Sequence, residues 1–257
     1  MSIRQVTSKS NPWFKQLKEL VIDNTAYREH QTIWLEGDHL CKAAINRGWT
    51  FDEMVLNDSV NADEIAFWRK HSQSITLLPG PLVKQLSALS SAAWIGGIVK
   101  RPLTPMLDPN VSTVVLDRLQ DPGNVGSILR SAAAFGFTQV VTTPHTAALW
   151  SAKVVRSGMG AHFGISLLES MPINALLATN LPVLVTSSHH GSSLKELVRD
   201  HKLPSPCMWV MGHEGQGASN QWFEAAHVKV CIDQPGGEES LNVAAAAAIC
   251  LHASACL

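Results

Sequence analysis

A series of short, continuously apolar runs in the second half of the chain is the feature that most constrains the fold. TVVLD at residues 113–117 begins the series, and QVVTT, PVLVTSS, CMWVMG and HVKVCI follow with helical stretches between them. Strands that face water on one side alternate polar and apolar residues, whereas strands covered on both faces are apolar throughout. The pattern therefore predicts an α/β fold with a parallel sheet, in which ligands lie at the carboxyl ends of the strands.

A proline-rich segment divides the chain. Residues 101–111, RPLTPMLDPNV, contain three prolines, each of which removes a backbone donor and biases its predecessor toward extended conformations. Before this segment, helical stretches alternate with short apolar runs such as IWL and MVL. We predict a small N-terminal α/β domain at 1–100, a linker at 101–111 and the parallel-sheet domain at 112–257.

The composition indicates a globular protein and excludes wholesale disorder, because 46% of the residues are hydrophobic and 16% are charged. The run LNVAAAAAICLHASACL is interrupted by Asn242 and His252, so it predicts a buried helix rather than a membrane span. The five cysteines form no C-x-x-C pair, which favours reduced thiols over a zinc ribbon or a disulfide framework. The opening residues lack the apolar stretch of a secretory signal. We expect a cytoplasmic protein with no membrane partner and no bound metal.

The overall charge gives little support to nucleic-acid binding. The net charge is -1, whereas a nucleic-acid-binding protein usually carries a basic face. Basic residues do cluster locally, since the first twenty residues contain Arg4, Lys9, Lys15 and Lys18 against Glu19 alone.

The first candidate motif is LDRLQDPGNVGSILRSAAAFGF, residues 116–137. Its DPGN sequence is typical of a turn, and we predict Asn124 as the N-cap of a helix that begins near Val125. On that helix, Arg130 neighbours Ser127, Ser131 and Ala134, which are small enough to leave room for a large partner beside the guanidinium. An ordinary solvated arginine on a helix is the alternative interpretation.

Two further motifs also follow apolar strands. Gly212 to Gly217 read G-x-E-G-x-G, which permits close backbone approach to a ligand but is not the dinucleotide fingerprint G-x-G-x-x-G. A plain tight turn would have the same composition. In CIDQPGGEESLNVAAAAAI we predict that Ser240 begins a helix with Asn242 among its first residues. The five consecutive alanines after it allow another backbone to pack closely.

Together these motifs resemble the SpoU (TrmH-like) family of the SPOUT class of RNA 2′-O-ribose methyltransferases. The family pattern N-x-x-x-x-x-R is matched by Asn124 and Arg130, G-x-E-G-x-G by Gly212 to Gly217, and S-L-N-V by Ser240 to Val243. The three occur in family order over residues 112–257. Residues 1–100, through VTSKSNPWFKQLKEL and IWLEGDHLCKAA, are similar to that family's RNA-binding extension, which resembles a ribosomal protein.

The resemblance implies a parallel-sheet domain whose C-terminal segment forms a deep trefoil knot, together with homodimerisation beside it. It also implies bound S-adenosylmethionine, with cofactor contacts at Gly212, Ile232, Leu241 and Thr186. The implied substrate is structured RNA, with ribosomal RNA favoured in view of the N-terminal extension and transfer RNA as the alternative. Neither DNA nor a membrane is an expected partner.

The resemblance assigns the leading catalytic role to Arg130, as a base helped by an RNA phosphate. A bidentate clamp on phosphate or ribose is the alternative role, and it suits a guanidinium better. The resemblance further implies that Asn124, Glu214, Ser240 and Asn242 orient the arginine and the substrate.

One departure from the family pattern concerns the cofactor side. The family reads I-P-M before its third glycine turn, whereas this chain has Ile232, Asp233 and Gln234, which predicts a change in cofactor affinity or geometry. A catalytically impaired RNA-binding protein of the same fold is therefore an alternative. Two other classes of enzyme are not supported. The chain lacks the glycine fingerprint of a nucleotide-dependent oxidoreductase, and it lacks the G-x-S-x-G elbow that a hydrolase using His189 or His190 would need.

Overall fold

The computed structural model describes residues 2–87, 94–187, 191–236 and 240–256. The chain forms two compact units. The first contains Met1–Leu103 and Trp150–Phe163, and the second contains Thr104–Leu149 and Gly164–Leu257. The change from one unit to the other after residue 103 falls within the proline-rich segment 101–111.

The first unit is built on a five-stranded mixed sheet in the order β1-β4-β3-β5-β2. β5 pairs antiparallel with both of its neighbours, β3 and β2, whereas the β1–β4 and β4–β3 pairings are parallel. The strands are β1 (Ser2–Gln5), β2 (Thr32–Glu36), β3 (Phe51–Asn57), β4 (Ser72–Leu78) and β5 (Ile95–Lys100). The helices are α1 (Pro12–Ile22), α2 (Ala26–His30), α3 (Asp38–Asn46), α4 (Ala62–Arg69) and α5 (Gly80–Val83), with a 3₁₀ turn at Lys84–Leu86.

The second unit is built on a seven-stranded sheet that is parallel at every pairing, in the order β10-β12-β9-β11-β6-β7-β8. The strands are β6 (Thr113–Leu116), β7 (Gln139–Thr142), β8 (Ser166–Leu168), β9 (Val183–Thr186), β10 (Ser192–Ser193), β11 (Met208–Met211) and β12 (Val228–Cys231). Every residue of β6, β7 and β11 is buried. The predicted α/β fold with a parallel sheet is confirmed.

The remaining helices, taken in chain order, cover the faces of the second sheet, except that α7 belongs to the first unit. They are α6 (Pro122–Ala134), α7 (Ala152–Gly158), α8 (Ile173–Leu177), α9 (Leu194–Arg199), α10 (Asn220–Ala225) and α11 (Val243–Ala255), with a 3₁₀ turn at Ala161–Gly164. On one face of the sheet, Val115, Val183 and Val210 form a core with Trp222 of α10.

Helices α6 and α11 pack against each other within the second unit. The rings of Phe135 and His252 meet edge to face at 5.3 Å between centroids. Trp209 Nε1 of β11 donates a hydrogen bond to Ser254 Oγ at 2.8 Å, which ties α11 to the centre of the sheet.

The segment Trp150–Phe163 packs with the first unit although it lies between strands of the second in sequence. Its ring systems surround Trp49, with centroid distances of 6.1 Å to Trp150 and 4.9 Å to Phe163. Arg156 Nη1 also pairs with Glu36 Oε2 at 3.1 Å. Apolar periodicity records only that a helix has a buried face and not which unit covers it, so this assignment was not predicted.

Two predicted helix starts were wrong. Asp121, not Asn124, is the N-cap of α6, because its side chain accepts from Asn124 N while Pro122 occupies the first helical position, where no backbone donor is needed. Asn242, not Ser240, caps α11, since its Oδ1 accepts from the backbone N–H groups of Ala244 and Ala245. In each case the segment contained two polar residues that could cap the helix, and the prediction chose the wrong one.

The predicted trefoil knot stays a prediction. Within the described ranges, no helix combines the length and the apolar character that a bilayer crossing requires.

Candidate active site

The three sequence motifs meet at one edge of the second sheet. In a parallel sheet all carboxyl ends share an edge, and the register pairs Leu116 of β6 with Met211 of β11, and Thr186 of β9 with Val230 of β12. The chain leaves β6 toward β7 and β8 on one side, while β11, β9 and β12 lie on the other. Such a reversal of strand order opens a crevice where α/β proteins bind ligands.

A cavity of about 330 Å³ occupies this edge. All four predicted cofactor contacts line it, namely Thr186, Gly212, Ile232 and Leu241. Of the five predicted catalytic residues, Glu214 and Ser240 also line it, whereas Asn124, Arg130 and Asn242 lie outside its lining. The other lining residues come from the same strand-end loops and from α10 and α11: Ser187, His213, Gly215, Gln216, Gly217, Phe223, Val230, Gln234, Val243 and Ala246.

The loop after β11 is closed so tightly that only glycine fits at its start. His213 and Gly217 exchange two backbone hydrogen bonds, of 3.0 and 2.8 Å. A Cβ atom at Gly212 would lie 1.9 Å from the backbone N of Ala218. Gly217 has φ +68°, a left-handed conformation that favours glycine. The G-x-E-G-x-G pattern is therefore a tight turn, and that turn forms one wall of the cavity.

Hydrogen bonds join the three motifs in a chain through Asn124. Asn124 Nδ2 donates to Glu214 Oε1 at 3.2 Å, and Asn124 Oδ1 accepts from Asn242 Nδ2 at 3.1 Å. Asn242 Oδ1 in turn accepts from the first backbone N–H groups of α11. We call Glu214, Asn124 and Asn242 the amide chain.

Glu214 determines the direction of the amide chain. A carboxylate only accepts hydrogen bonds, so Asn124 must present its NH₂ group to Glu214 and its oxygen to Asn242. Asn242 must then present its oxygen to the N-terminus of α11, where backbone donors need acceptors. Each amide therefore has one favoured orientation.

The Glu214 carboxylate is held in its ionised form. Partial burial alone would raise its pKa, but hydrogen bonds from its own backbone N–H, from the Asn124 side chain and from the backbone N–H groups of Asp121 and Gln120 outweigh burial. The pKa of Glu214 is consequently lowered from its usual value of 4.5. Glu214 Oε1 lies 3.1 Å from Asp121 N, and Glu214 Oε2 lies 3.4 Å from Gln120 N. These two hydrogen bonds hold the chain just before α6.

Arg130 is exposed on α6. Its guanidinium forms no hydrogen bond or ion pair with any residue that the structure describes. The backbone that carries it is nevertheless well anchored, because Val125, Ile128 and Leu129 are fully buried. A fixed helix with a free guanidinium suits an arginine that meets an external anion.

A buried carboxylate at the end of β6 was missed in the sequence. Asp117 is only 1% exposed and accepts from Thr143 Oγ1 at 2.9 Å and from Ser219 N at 2.8 Å. Arg118, at φ +61°, extends to Gln216 Oε1 at 3.2 Å and to Gly217 O at 3.3 Å. The signal was present, since an acidic residue directly after an apolar strand needs partners when it is buried.

Asp233 and Gln234 differ in surroundings. Asp233 Oδ2 accepts from Ser193 Oγ at 2.6 Å, whereas Gln234 lines the cavity. Neither substitution closes the cavity.

His189 and His190, considered above for a hydrolase, lie outside the described residues.

Known proteins of similar sequence are RNA methyltransferases. Residues 112–252 match the model of the SpoU rRNA Methylase family. The chain is 31% identical to an uncharacterized tRNA/rRNA methyltransferase of Synechocystis, over 97% of this chain and 93% of that protein. It is 25% identical to the 23S rRNA (guanosine(2553)-2′-O)-methyltransferase RlmP of Bacillus subtilis, over 97% and 98% of the two chains.

A solved structure shares the fold of the whole chain. The S-adenosylmethionine-bound rRNA methyltransferase of Sinorhizobium meliloti superposes with a TM-score of 0.83, at 23% identity, over 98% of this chain and 97% of that one. The chain has the α/β architecture of the SPOUT class, with a parallel seven-stranded sheet. It belongs to the SpoU rRNA Methylase family, as predicted.

The lowered pKa of Glu214 predicts how stability changes with pH. Its contribution is fully present above its unfolded pKa and is lost as the pH falls through the lower folded pKa. Glu214→Gln removes this titration, so the melting temperature of the parent should exceed that of the variant by a constant margin at neutral pH. The margin should shrink below about pH 4.5, the usual value for this group.

Glu224→Gln is the matched control, because it neutralises an exposed carboxylate on α10 that has no described hydrogen-bond partner. Melting curves for the three proteins between pH 3 and pH 8 measure the margin. A margin for Glu214→Gln that does not depend on pH would contradict the hydrogen-bonded, ionised carboxylate.

Proposed function

We propose that this protein transfers a methyl group from S-adenosylmethionine to a ribose 2′-hydroxyl of structured RNA, with ribosomal RNA as the substrate class. The amide chain carries the proposal, because it joins the three family motifs beside one cavity. The activity printed for the Bacillus subtilis relative, 2′-O-methylation of 23S rRNA, supports the same reaction. Because ribosomal RNA is the proposed substrate, the proposed location of the protein is the cytoplasm.

The cavity fits the cofactor. Its volume of about 330 Å³ lies within the range of small-molecule sites. Gly212 exposes backbone at one wall, and Ile232 and Leu241 supply apolar surface for a ring. Thr186 adds a hydroxyl at the end of β9. Bound S-adenosylmethionine supplies an activated methyl group, so positioning of the hydroxyl accounts for much of the rate enhancement.

Arg130 is the residue proposed to hold the RNA. A guanidinium is protonated in proteins and has a planar fork that matches phosphate, so it clamps better than it accepts a proton. Asn124 lies six residues earlier on the same helix, and the amide chain fixes that helix beside the cavity. In this proposal Ser240 lines the substrate side, and Glu214, Asn124 and Asn242 hold the arginine's helix in place.

A catalytically impaired protein is the weaker alternative. That alternative was based on Asp233 and Gln234, which replace the proline and methionine of the family pattern. Asp233 is hydrogen-bonded to Ser193, however, and Gln234 lines the cavity without closing it. All five candidate catalytic residues are present, and three of them form the amide chain.

The first unit is proposed to capture the RNA. Lys9 and Lys15 are exposed at and beside α1. Trp13, an aromatic residue between them, is already engaged, since its Nε1 donates to Glu53 at 2.9 Å and Arg4 lies 4.6 Å from its ring. Phosphate contacts by lysine therefore explain RNA capture better than stacking on Trp13.

A homodimer is proposed through α11. This helix contains no charged residue, and a helix that is apolar on all sides is normally buried on all sides. In the single chain, however, Ile249 is 42% exposed and the preceding Leu241 is 39% exposed. A second copy of the chain would cover this apolar surface, which adjoins α6 and its Arg130.

Arg130 provides the direct test of the activity. Arg130→Ala should lower methyl transfer to saturating RNA by at least about a hundredfold, equivalent to roughly 2.7 kcal/mol in the transition state, because the clamp is lost. Calorimetric affinity for S-adenosylmethionine and the melting temperature should stay close to those of the parent.

Arg130→Lys is the matched variant. It keeps the charge but loses the bidentate fork, so a clamp should fail substantially with it as well. Retention of more than half the activity by Arg130→Ala would remove Arg130 from the site.

RNA capture by the first unit can be tested with two charge reversals. Lys9→Glu combined with Lys15→Glu should raise the KM for RNA and flatten the dependence of binding on salt, since fewer phosphates release counterions. Affinity for S-adenosylmethionine, measured by calorimetry, should not change. The same reversals at Arg69 and Lys70, exposed at the end of α4, are the control, and equal effects from both pairs would refute a specific role for α1.

The dimer can be tested at Ile249. Ile249→Asp places a charge on the proposed interface, so sedimentation at micromolar concentration should show a monomer where the parent is a dimer. Asn110→Asp adds the same charge in an exposed loop and should leave the parent's mass unchanged. A parent protein that sediments as a monomer and is fully active would disprove the proposal.

A further inference from the structure

Gln234 lines the cavity from the loop that follows β12. The sheet order separates β12 from β11 by β9 alone. Neighbouring strands are about 4.8 Å apart, so the ends of β11 and β12 are separated by roughly 10 Å. Asn124 and Arg130 follow β6, on the far side of β11. The reacting groups of substrate and cofactor must meet near β6 and β11, which leaves the β12 end for a part of the cofactor remote from the methyl group.

The Gln234 side chain has an unused acceptor. Its Oε1 atom is shielded from solvent and accepts no hydrogen bond from any residue within the described ranges. A buried carbonyl oxygen without a donor is unfavourable, so such atoms in native proteins call for a partner from outside the chain. Since Gln234 also lines the cavity, rotation of its carboxamide would bring Oε1 to a bound ligand that supplies this donor.

We infer that the Gln234 carboxamide recognises the adenine edge of the cofactor, with Oε1 accepting a hydrogen bond from the exocyclic amino group. The inference rests on the proposed function and names a specificity-determining residue for it. Where the family pattern has methionine, this chain has a side chain that both accepts and donates.

Adenine is the part of the cofactor that best matches this environment. A glutamine carboxamide presents an acceptor beside a donor, the arrangement with which glutamine pairs to adenine at its amino group and adjacent ring nitrogen. The neighbouring lining residues Val230, Ile232 and Leu241 are apolar and suit the faces of a ring. A charged ammonium or carboxylate would gain nothing from them.

The loop that carries Gln234 is held from its other side. Asp233 Oδ2 accepts from Ser193 Oγ at 2.6 Å, so the residue before Gln234 is tied to the neighbouring strand β10. Of the two substituted residues, Asp233 therefore anchors the loop, and Gln234 faces the ligand.

Calorimetry with two product analogues tests the inference without an activity assay. S-adenosylhomocysteine carries the amino donor, whereas S-inosylhomocysteine carries a carbonyl oxygen at the same position and would oppose two acceptors. The intact protein should bind the adenine compound at least thirtyfold more tightly. In Gln234→Met that ratio should fall at least tenfold, mainly through weaker binding of the adenine compound.

Gln216→Met is the matched control, because Gln216 also lines the cavity but its Oε1 already accepts from Arg118. It should keep the parent's ratio even if both affinities change. A parent that binds both compounds equally, or a folded Gln234→Met that keeps the full ratio, overturns the inference while the proposed function stands. A parent that binds neither compound overturns the proposed function itself.

Discussion

The amide group of Asn124 is the contact on which the candidate site depends. Its partners, Glu214 and Asn242, lie 90 and 118 residues further along the chain, yet both are within 3.2 Å of the amide. Because Glu214 is ionised and only accepts, one orientation of Asn124 satisfies every group, and that orientation dictates Asn242. Reversing the amide would place its oxygen against the Glu214 carboxylate and its NH₂ group against the NH₂ group of Asn242, so neither hydrogen bond would form.

In the proposed site, the residues that hold α6 in place are different from the residue that contacts the substrate. Asp121, Pro122 and the donors to Glu214 fix the start of α6, and Ile128 and Leu129 fix its rotation against the sheet. Arg130 projects from this anchored helix, and its guanidinium has no partner among the described residues. The loop after β11 is equally fixed, since Asp117 and Arg118 hold Ser219, Gln216 and Gly217. Positioning of this kind is what methyl transfer to a weakly nucleophilic hydroxyl requires.

Much of the fold was predictable because the information is local. Continuous apolar runs predicted β6, β7, β9, β11 and β12, and the strand-end loops predicted where Gly212 and Ile232 would lie. The helix starts were less predictable. Asp121 and Asn124, and likewise Ser240 and Asn242, are all good caps by residue type, and only the backbone geometry of the folded loop selects between them. The position of Asp117 directly after an apolar strand was visible in the sequence, but its partners Thr143 and Ser219 were not, since they belong to other strand-end loops.

The sequence by itself determined the main strands of the second sheet and their parallel character, because burial periodicity and turn composition are properties of short segments, and its three motifs indicated membership of a methyltransferase family. Only the tertiary structure decided that β11 lies between β6 and β9, that Trp150–Phe163 packs with the first unit, and that Gln234 faces the cavity while Asp233 faces Ser193. Each of these depends on which distant surfaces and hydrogen-bonding groups match. That matching is set by the free energy of the whole packed unit, and no short segment contains it.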